Sequence, residues 1–185
     1  MEKGLRRKKD KKTMLEIAGG VKLLIVDVDG VLTDGSIVLD NAGNEYKSFY
    51  VRDGHGIKML IRAGVRVAII TGRESKVVER RAKELGITDV VQKCRDKKAA
   101  YLKLLKRYSL TGKETACIGD DIVDIPIMIS AGLPAAPADA DEETKKAALI
   151  VTVNRGGRGA VREITDFILK AKGLWENMLN EYYKA

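Results

Sequence analysis

Residues 21–29 (VKLLIVDVD) form an almost unbroken apolar run that ends abruptly in acid. A strand with one wet face alternates apolar and polar side chains, so a short continuous run reads as a strand buried on both faces. Such a strand belongs to a parallel sheet covered by helices on either side. The rest of the chain keeps that rhythm. Residues 65–71, 89–92, 115–118, 133–136 and 149–153 read as further short strands separated by amphipathic stretches. Ile57, Leu60 and Ile61 make one helical stripe, ended by Gly64. Ser75 can cap a helix carrying Val77, Val78, Ala82 and Leu85 and closed by Gly86. Asp96 can cap another with Ala99, Leu102 and Leu105, and residues 122–131 read as a fourth helix stopped by Gly132. The alternation predicts an α/β fold with a central parallel sheet and helices on both faces.

Two segments depart from this pattern. Residues 36–51 carry β-branched and aromatic side chains around Asn41-Ala42-Gly43-Asn44, which reads as a β-hairpin inserted after the first strand. Residues 155–159 (RGGRG) read as a turn before a C-terminal helical segment over about 160–183. Its first stripe is Val161, Ile164, Ile168 and Ala171, and Trp175, Met178 and Tyr182 belong to a second after Gly173. A length of 185 residues suits one domain, placed at 15–185. Five of the eight excess positive charges fall within residues 1–12, so residues 1–14 are expected to be a basic, disordered tail. Such a tail could touch nucleic acid weakly, but the body lacks the basic stripe with interleaved aromatics of a nucleic-acid-binding module. No apolar run nears the ~18–20 residues that cross a bilayer, and no secretion signal follows the basic start. The expectation is a cytoplasmic protein without membrane contact. Cys94 and Cys117 supply neither a disulfide framework nor a zinc pair and read as small core residues.

Open parallel sheets bind ligands beyond the carboxyl ends of their strands, and the notable polar residues fall there. Asp27 and Asp29 end the first strand, Thr71-Gly72-Arg73 the second, and Gly119-Asp120-Asp121 the fourth. Asp124 follows one helical turn on, and Lys97 opens the helix after the third strand. Carboxylates at the end of a doubly buried strand are expensive unless a cation compensates them. Oxygen ligands suit a hard cation, Mg²⁺ before Ca²⁺. With Lys97 and Arg73 beside the acids, the edge suits an anionic substrate, and phosphate fits best.

The run 26–35 (VDVDGVLTDG), Thr71-Gly72, Lys97 and Gly119-Asp120-Asp121 with Asp124 resemble the haloacid dehalogenase phosphatase superfamily in all four motifs, over about residues 21–171. The resemblance implies a three-layer Rossmann-like fold and a Mg²⁺-dependent phosphatase. Asp27 would attack phosphorus to form an aspartyl-phosphate, being ionised at neutral pH without help from a base. Asp29 would protonate the leaving alkoxide and then deprotonate water. Thr71 and Lys97 would bind phosphoryl oxygens. Asp27, Asp120 and the Asp29 backbone carbonyl would hold the metal, with Asp121 and Asp124 orienting its surroundings and Lys97.

The spacing leaves no cap domain. Only the hairpin and one helix separate Asp27 from Thr71, and one helix and one strand separate Lys97 from Asp120. The hairpin, residues 50–56 (YVRDGHG) and residues 155–160 (RGGRGA) are similar to the capless, tetrameric family of 3-deoxy-D-manno-octulosonate 8-phosphate phosphatases of bacterial lipopolysaccharide synthesis. That similarity implies a homotetramer whose hairpins pack into an intersubunit barrel and whose active sites form between subunits. It also implies a small sugar-acid phosphate as substrate, read by Val51, Arg52, Asp53, Gly54, Lys58, Gly72, Arg73, Arg81 and Lys97. Arginine suits the carboxylate of such a substrate. Two rival readings stay open. One is a phosphatase for a nonulosonate 9-phosphate. The other is a non-catalytic regulatory domain, against which the intact set Asp27, Asp29, Lys97 and Asp120 stands. Arg158 either reaches a neighbour's phosphate site or solvates its turn, and His55 reads as a surface loop residue.

Overall fold

Six parallel strands in the order β5-β4-β1-β6-β7-β8 form the sheet of this computed structural model, which describes residues 11–184. The elements are α1 (Lys11–Gly19), β1 (Leu23–Val26), β2 (Val38–Leu39), β3 (Glu45–Tyr46), α2 (Val51–Arg62), β4 (Arg66–Ile70), α3 (Lys76–Leu85) and β5 (Asp89–Val91). There follow α4 (Lys97–Tyr108), β6 (Thr115–Ile118), α5 (Ile125–Met128), β7 (Leu133–Ala136), α6 (Glu142–Ala147), β8 (Ile150–Val151), α7 (Ala160–Ala171) and α8 (Trp175–Tyr183).

All four residues of β1 are buried, as a central strand requires. Their alternation splits the core in two. Leu24 and Val26 face a layer that includes Ile57, Leu60, Val78, Leu85, Ile164 and Ile168, from α2, α3 and α7. Leu23 and Ile25 face Ala100, Tyr101 and Leu104 of α4 and Ile127 and Met128 of α5. Asp27 continues the second face, toward the helix that Lys97 opens. Register then sets the active edge. Val26 lies level with Ile69 and Ile118, so Asp27, Thr71 and Asp120 leave the sheet within a residue or two of one another.

The caps work as the residue types predict. Ser75 Oγ accepts from Val78 N and Asp96 Oδ1 from Ala99 N, and Gly86 closes α3 in the left-handed conformation. Three expectations change. The hairpin expected over 36–51 pairs only Val38–Leu39 with Glu45–Tyr46. Asp40 Oδ1 accepts from the backbone N–H of Ala42 and of Asn44 to make its turn. After Tyr46 the chain turns Lys47 and Phe49 inward, which ends the pairing, and Val51 already belongs to α2. The helix expected over 122–131 is a 3₁₀ turn, Ile122–Asp124, followed by the short α5, because Asp124 points back into the site and Pro126 starts a new turn. Of the tail expected over 1–14, residues 11–14 belong to α1, and residues 1–10 lie outside the described residues. Helix α6 was not foreshadowed by its apolar pattern; it is capped by Asp141 and carries one buried residue, Thr144. Among the described residues no helix is long and apolar enough to cross a membrane.

Candidate active site

A cleft of about 540 Å³ opens at the carboxyl edge of the sheet, and Asp27, Asp29, Thr71, Gly72, Arg73, Lys97, Asp120 and Asp121 line it. Four separate chain segments thus meet as their spacing along the sequence suggested. Lys97 Nζ is the centre of the arrangement. It donates to Asp27 Oδ2 at 2.8 Å and to Asp124 Oδ1 at 2.6 Å, and all three side chains are nearly excluded from water. Asp124 Oδ2 in turn accepts from Asp120 N–H at 3.2 Å, which sets the backbone that carries Asp120. Asp120 C=O accepts from Asp141 N–H at 2.8 Å.

The charges do not balance. Burial pushes Asp120 up to about 7, with the carboxylates of Asp27 and Asp124 adding to the effect. Burial and then Asp124 push Asp27 up to about 6, against the pull of Lys97. Burial works against the Lys97 ammonium, yet Asp27 and Asp124 outweigh it and hold its pKa above the ordinary value. One ammonium therefore serves three clustered carboxylates. Asp27 Oδ1 is buried with no hydrogen-bond partner among the described residues. Asp27, Asp120 and Asp124 each offer an oxygen within 4.8 Å of the others. An orphaned carboxylate oxygen in an acid-rich pocket fits a hard divalent cation, which would satisfy it and remove the repulsion.

Gly30 closes this corner. Its φ of +77° favours glycine, and a Cβ there would lie 2.0 Å from Asp120 Oδ2. Asp29, just before it, is pinned on the opposite side by Lys47 at 2.5 Å. Thr71 is buried, with its backbone N–H on Val91 C=O at 2.9 Å.

Other residues implied by resemblance lie elsewhere in the chain. Asp53 is buried beneath α7, where its carboxylate accepts from the backbone N–H of Gly159 at 3.2 Å and of Arg162 at 2.7 Å. Burial raises it to about 6 despite those bonds. It holds two segments of its own chain together. Gly54 packs against Arg81, and a Cβ there would lie 2.3 Å from Arg81 Nη2. Val51 is exposed, and Lys58 is exposed farther along α2. Arg52 lines a second cleft, of about 510 Å³, with Arg158. Arg158 itself approaches Asp34 at 3.9 Å. None of Val51, Arg52, Asp53, Gly54, Lys58 or Arg81 lines the cleft that holds Asp27. Tyr182 Oη lies 3.2 Å from His55 Nε2, so that histidine meets the C-terminal helix.

Lys47 and Glu45 belong to the site and escaped the sequence reading. Hairpin residues are read for their apolar face, and no local spacing links position 47 to position 29.

A parallel sheet with paired acids at its central strand, a lysine at the next layer and a Gly-Asp-Asp turn beside them defines a haloacid dehalogenase-like hydrolase. Residues 48–132 match that family. The comparison sharpens with full-length relatives. The 3-deoxy-D-manno-octulosonate 8-phosphate phosphatase KdsC of Yersinia pestis is 48% identical over 86% of this chain and 85% of its own. KdsC of Escherichia coli K12 is 46% identical over 84% of this chain and 83% of its own. The crystal structure of the Moraxella catarrhalis phosphatase, in complex with magnesium ion, phosphate ion and a KDO molecule, superposes with a TM-score of 0.92 at 38% identity, covering 94% of this chain and 99% of that one. This chain belongs to the KdsC family of haloacid dehalogenase-like hydrolases.

Proposed function

We propose that this chain is a Mg²⁺-dependent phosphatase that hydrolyses 3-deoxy-D-manno-octulosonate 8-phosphate to the free sugar acid and phosphate, in lipopolysaccharide synthesis. The observation that carries the reading is the orphaned Asp27 oxygen inside a cluster of acids, with Lys97 holding the other oxygen. Bound Mg²⁺ supplies positive charge against both the carboxylates and the incoming phosphoryl oxygens. Lys97, aimed along the same edge, binds a phosphoryl oxygen and holds Asp27 in line for attack. The Thr71 hydroxyl is the second donor to the phosphoryl group. Asp27 takes the phosphoryl group from the substrate oxygen, and Asp29 gives that oxygen its proton. Asp29, now a carboxylate, takes a proton from the water that releases phosphate from Asp27. Asp121 and Asp124 orient the acid cluster, Asp124 through Lys97 and the Asp120 backbone.

Substrate choice supplies the test. The 8-phosphate of the eight-carbon acid is expected to exceed nonulosonate 9-phosphates and simple sugar phosphates in kcat/KM by at least about tenfold, the effect of ~1.4 kcal/mol of differential binding. Equal values on all three would reduce the reading to a general phosphatase, and preference for a 9-phosphate would transfer it to the sialic-acid-type substrates. Arg73 lines the cleft directly. Arg52, Lys58 and Arg81 would have to act on a neighbouring subunit's site.

That requirement agrees with the hairpin surface. Ile37, Val38, Leu39 and Tyr46 are 51–59% exposed on a two-stranded ribbon that has no third strand among the described residues. Isolated ribbons are marginal in water, and such a patch favours a partner. We take the partner to be three further copies, giving about 80 kDa from chains of 20.3 kDa. Phe49, an aromatic of the same segment, packs on the chain's own core and beneath Arg81, so it does not probe this surface. Ile37→Asp with Leu39→Asp is expected to lower both the mass in light scattering and the activity. A fully active monomer would contradict shared sites. Cys94 and Cys117 are thiols rather than a disulfide, which suits a reducing compartment, and we place the enzyme in the cytoplasm.

A further inference from the structure

We propose that Lys47 is a positioning residue for Asp29, and that delivering it is the hairpin's direct part in the reaction; this rests on the phosphatase reading above. Lys47 follows β3 immediately, yet its side chain is 1% exposed while the apolar side chains of the ribbon face outward. Its Nζ lies 2.5 Å from Asp29 Oδ1 and 3.4 Å from Glu45 Oε1. Arg73 closes the circuit, with Nη2 3.1 Å from the same Glu45 oxygen and Nε 3.8 Å from Asp29 Oδ2. Two cations and two carboxylates alternate around a ring without net charge.

A buried ammonium is costly unless well paired, and tying the hairpin to the body does not require one. The outer pair, Arg73 with Glu45, already makes that tie. What Lys47 adds is control of one carboxylate. It occupies Asp29 Oδ1, while among the described residues Asp29 Oδ2 meets only Arg73, at a looser distance. The plane of the Asp29 carboxylate is thereby set, and Oδ2 is the oxygen left to exchange a proton with the leaving group and then with water. Proton transfer needs a donor within hydrogen-bond reach and correctly aimed, so a carboxyl free to rotate would spend most of its time out of line.

Lys47→Met removes the ammonium and keeps the apolar stem, and Lys47→Arg restores the charge. With the sugar-acid phosphate, K47M should lower kcat by about 10²-fold. KM should change by less than about threefold, because ground-state binding is untouched. K47R should recover much of the rate. Leaving-group dependence separates positioning from damage. In p-nitrophenyl phosphate the phenolate departs without a proton, so the burst of phosphoryl transfer should fall less than about threefold in K47M. In an Asp29→Asn background, adding K47M should cost little further, since both changes act on one group. Equal losses on both substrates, a wild-type kcat in K47M, or additive losses with D29N would overturn the proposal. Where K47M does not fold to the wild-type mass, Lys47→Gln, which loses the ammonium but keeps a polar end beside Glu45, replaces it, and the same split between the two substrates decides. Wild-type protein inactive on every sugar-acid phosphate would refute the phosphatase reading itself, whereas active wild type with an unaffected K47M refutes only the role of Lys47.

Discussion

Asp27→Asn is expected to lower kcat by about 10⁴-fold or more, within the range seen when a nucleophile is removed. The amide has nearly the shape of the carboxylate but no anionic oxygen to attack phosphorus. The fold should survive, because Lys97 keeps its bond to Asp124 at 2.6 Å and the acid cluster loses one of its repelling charges. Steady-state turnover with saturating Mg²⁺, alongside a thermal melt, checks both halves. A variant keeping a tenth of the wild-type rate would remove Asp27 from the chemistry.

The second large effect concerns the metal and pH. Asp27 and Asp120 are held near 6 and 7 in the folded protein, well above the ordinary carboxylate value of 3.8. The folded state therefore binds more protons than the unfolded state between about pH 4 and 7, and stability falls as pH rises through that window. Asp53, raised to about 6 by burial, adds to the same trend. His55, depressed by burial and by Arg162, opposes it, and at the acid end of the window so do carboxylates held low by their partners, such as Glu114 beside Lys22. Metal-free protein should consequently melt at a lower temperature at pH 7.5 than at pH 5. Mg²⁺ should reverse the trend, since it binds the ionised cluster. At a hundredfold excess over Kd the gain is about 2.7 kcal/mol, or about 5–10 °C in a domain of this size. Near pH 5 protons compete for the same oxygens, and the gain should shrink toward zero. Equal Mg²⁺ shifts at both pH values would show that the ion is not held by these acids. Removing the metal with EDTA should also stop phosphate release.

Much of the fold is legible because the buried strands announce themselves. The uninterrupted apolar run of β1 could only be covered on both faces, and Ser75, Asp96 and Gly86 cap where their chemistry directs. The active edge was legible for the same reason, since residues that end parallel strands must share one edge. The interior of the site was less so. The bond between Lys97 and Asp27 spans 70 positions, and the grip of Asp124 on the Asp120 backbone depends on a 3₁₀ turn where a regular helix was expected. Asp53 has a role within the chain that its motif did not announce. Its place beside Arg52 and Gly54 in the motif suggested a substrate contact, while within the chain it caps α7. Lys47 was hidden because its partner lies across the fold and its own neighbours read as a surface ribbon.

The central claim is that Asp27 itself takes the phosphoryl group, and it can be read directly. The enzyme, loaded with Mg²⁺, is mixed with the 8-phosphate of the eight-carbon acid, quenched in acid within a single turnover and mapped by peptide mass. Phosphate should appear on Asp27, at a level set by the ratio of the two chemical steps, and should be absent from D27N and from the metal-free protein. Product formed in that turnover with the label on another residue, or label on Asp27 without any Mg²⁺, would contradict the account.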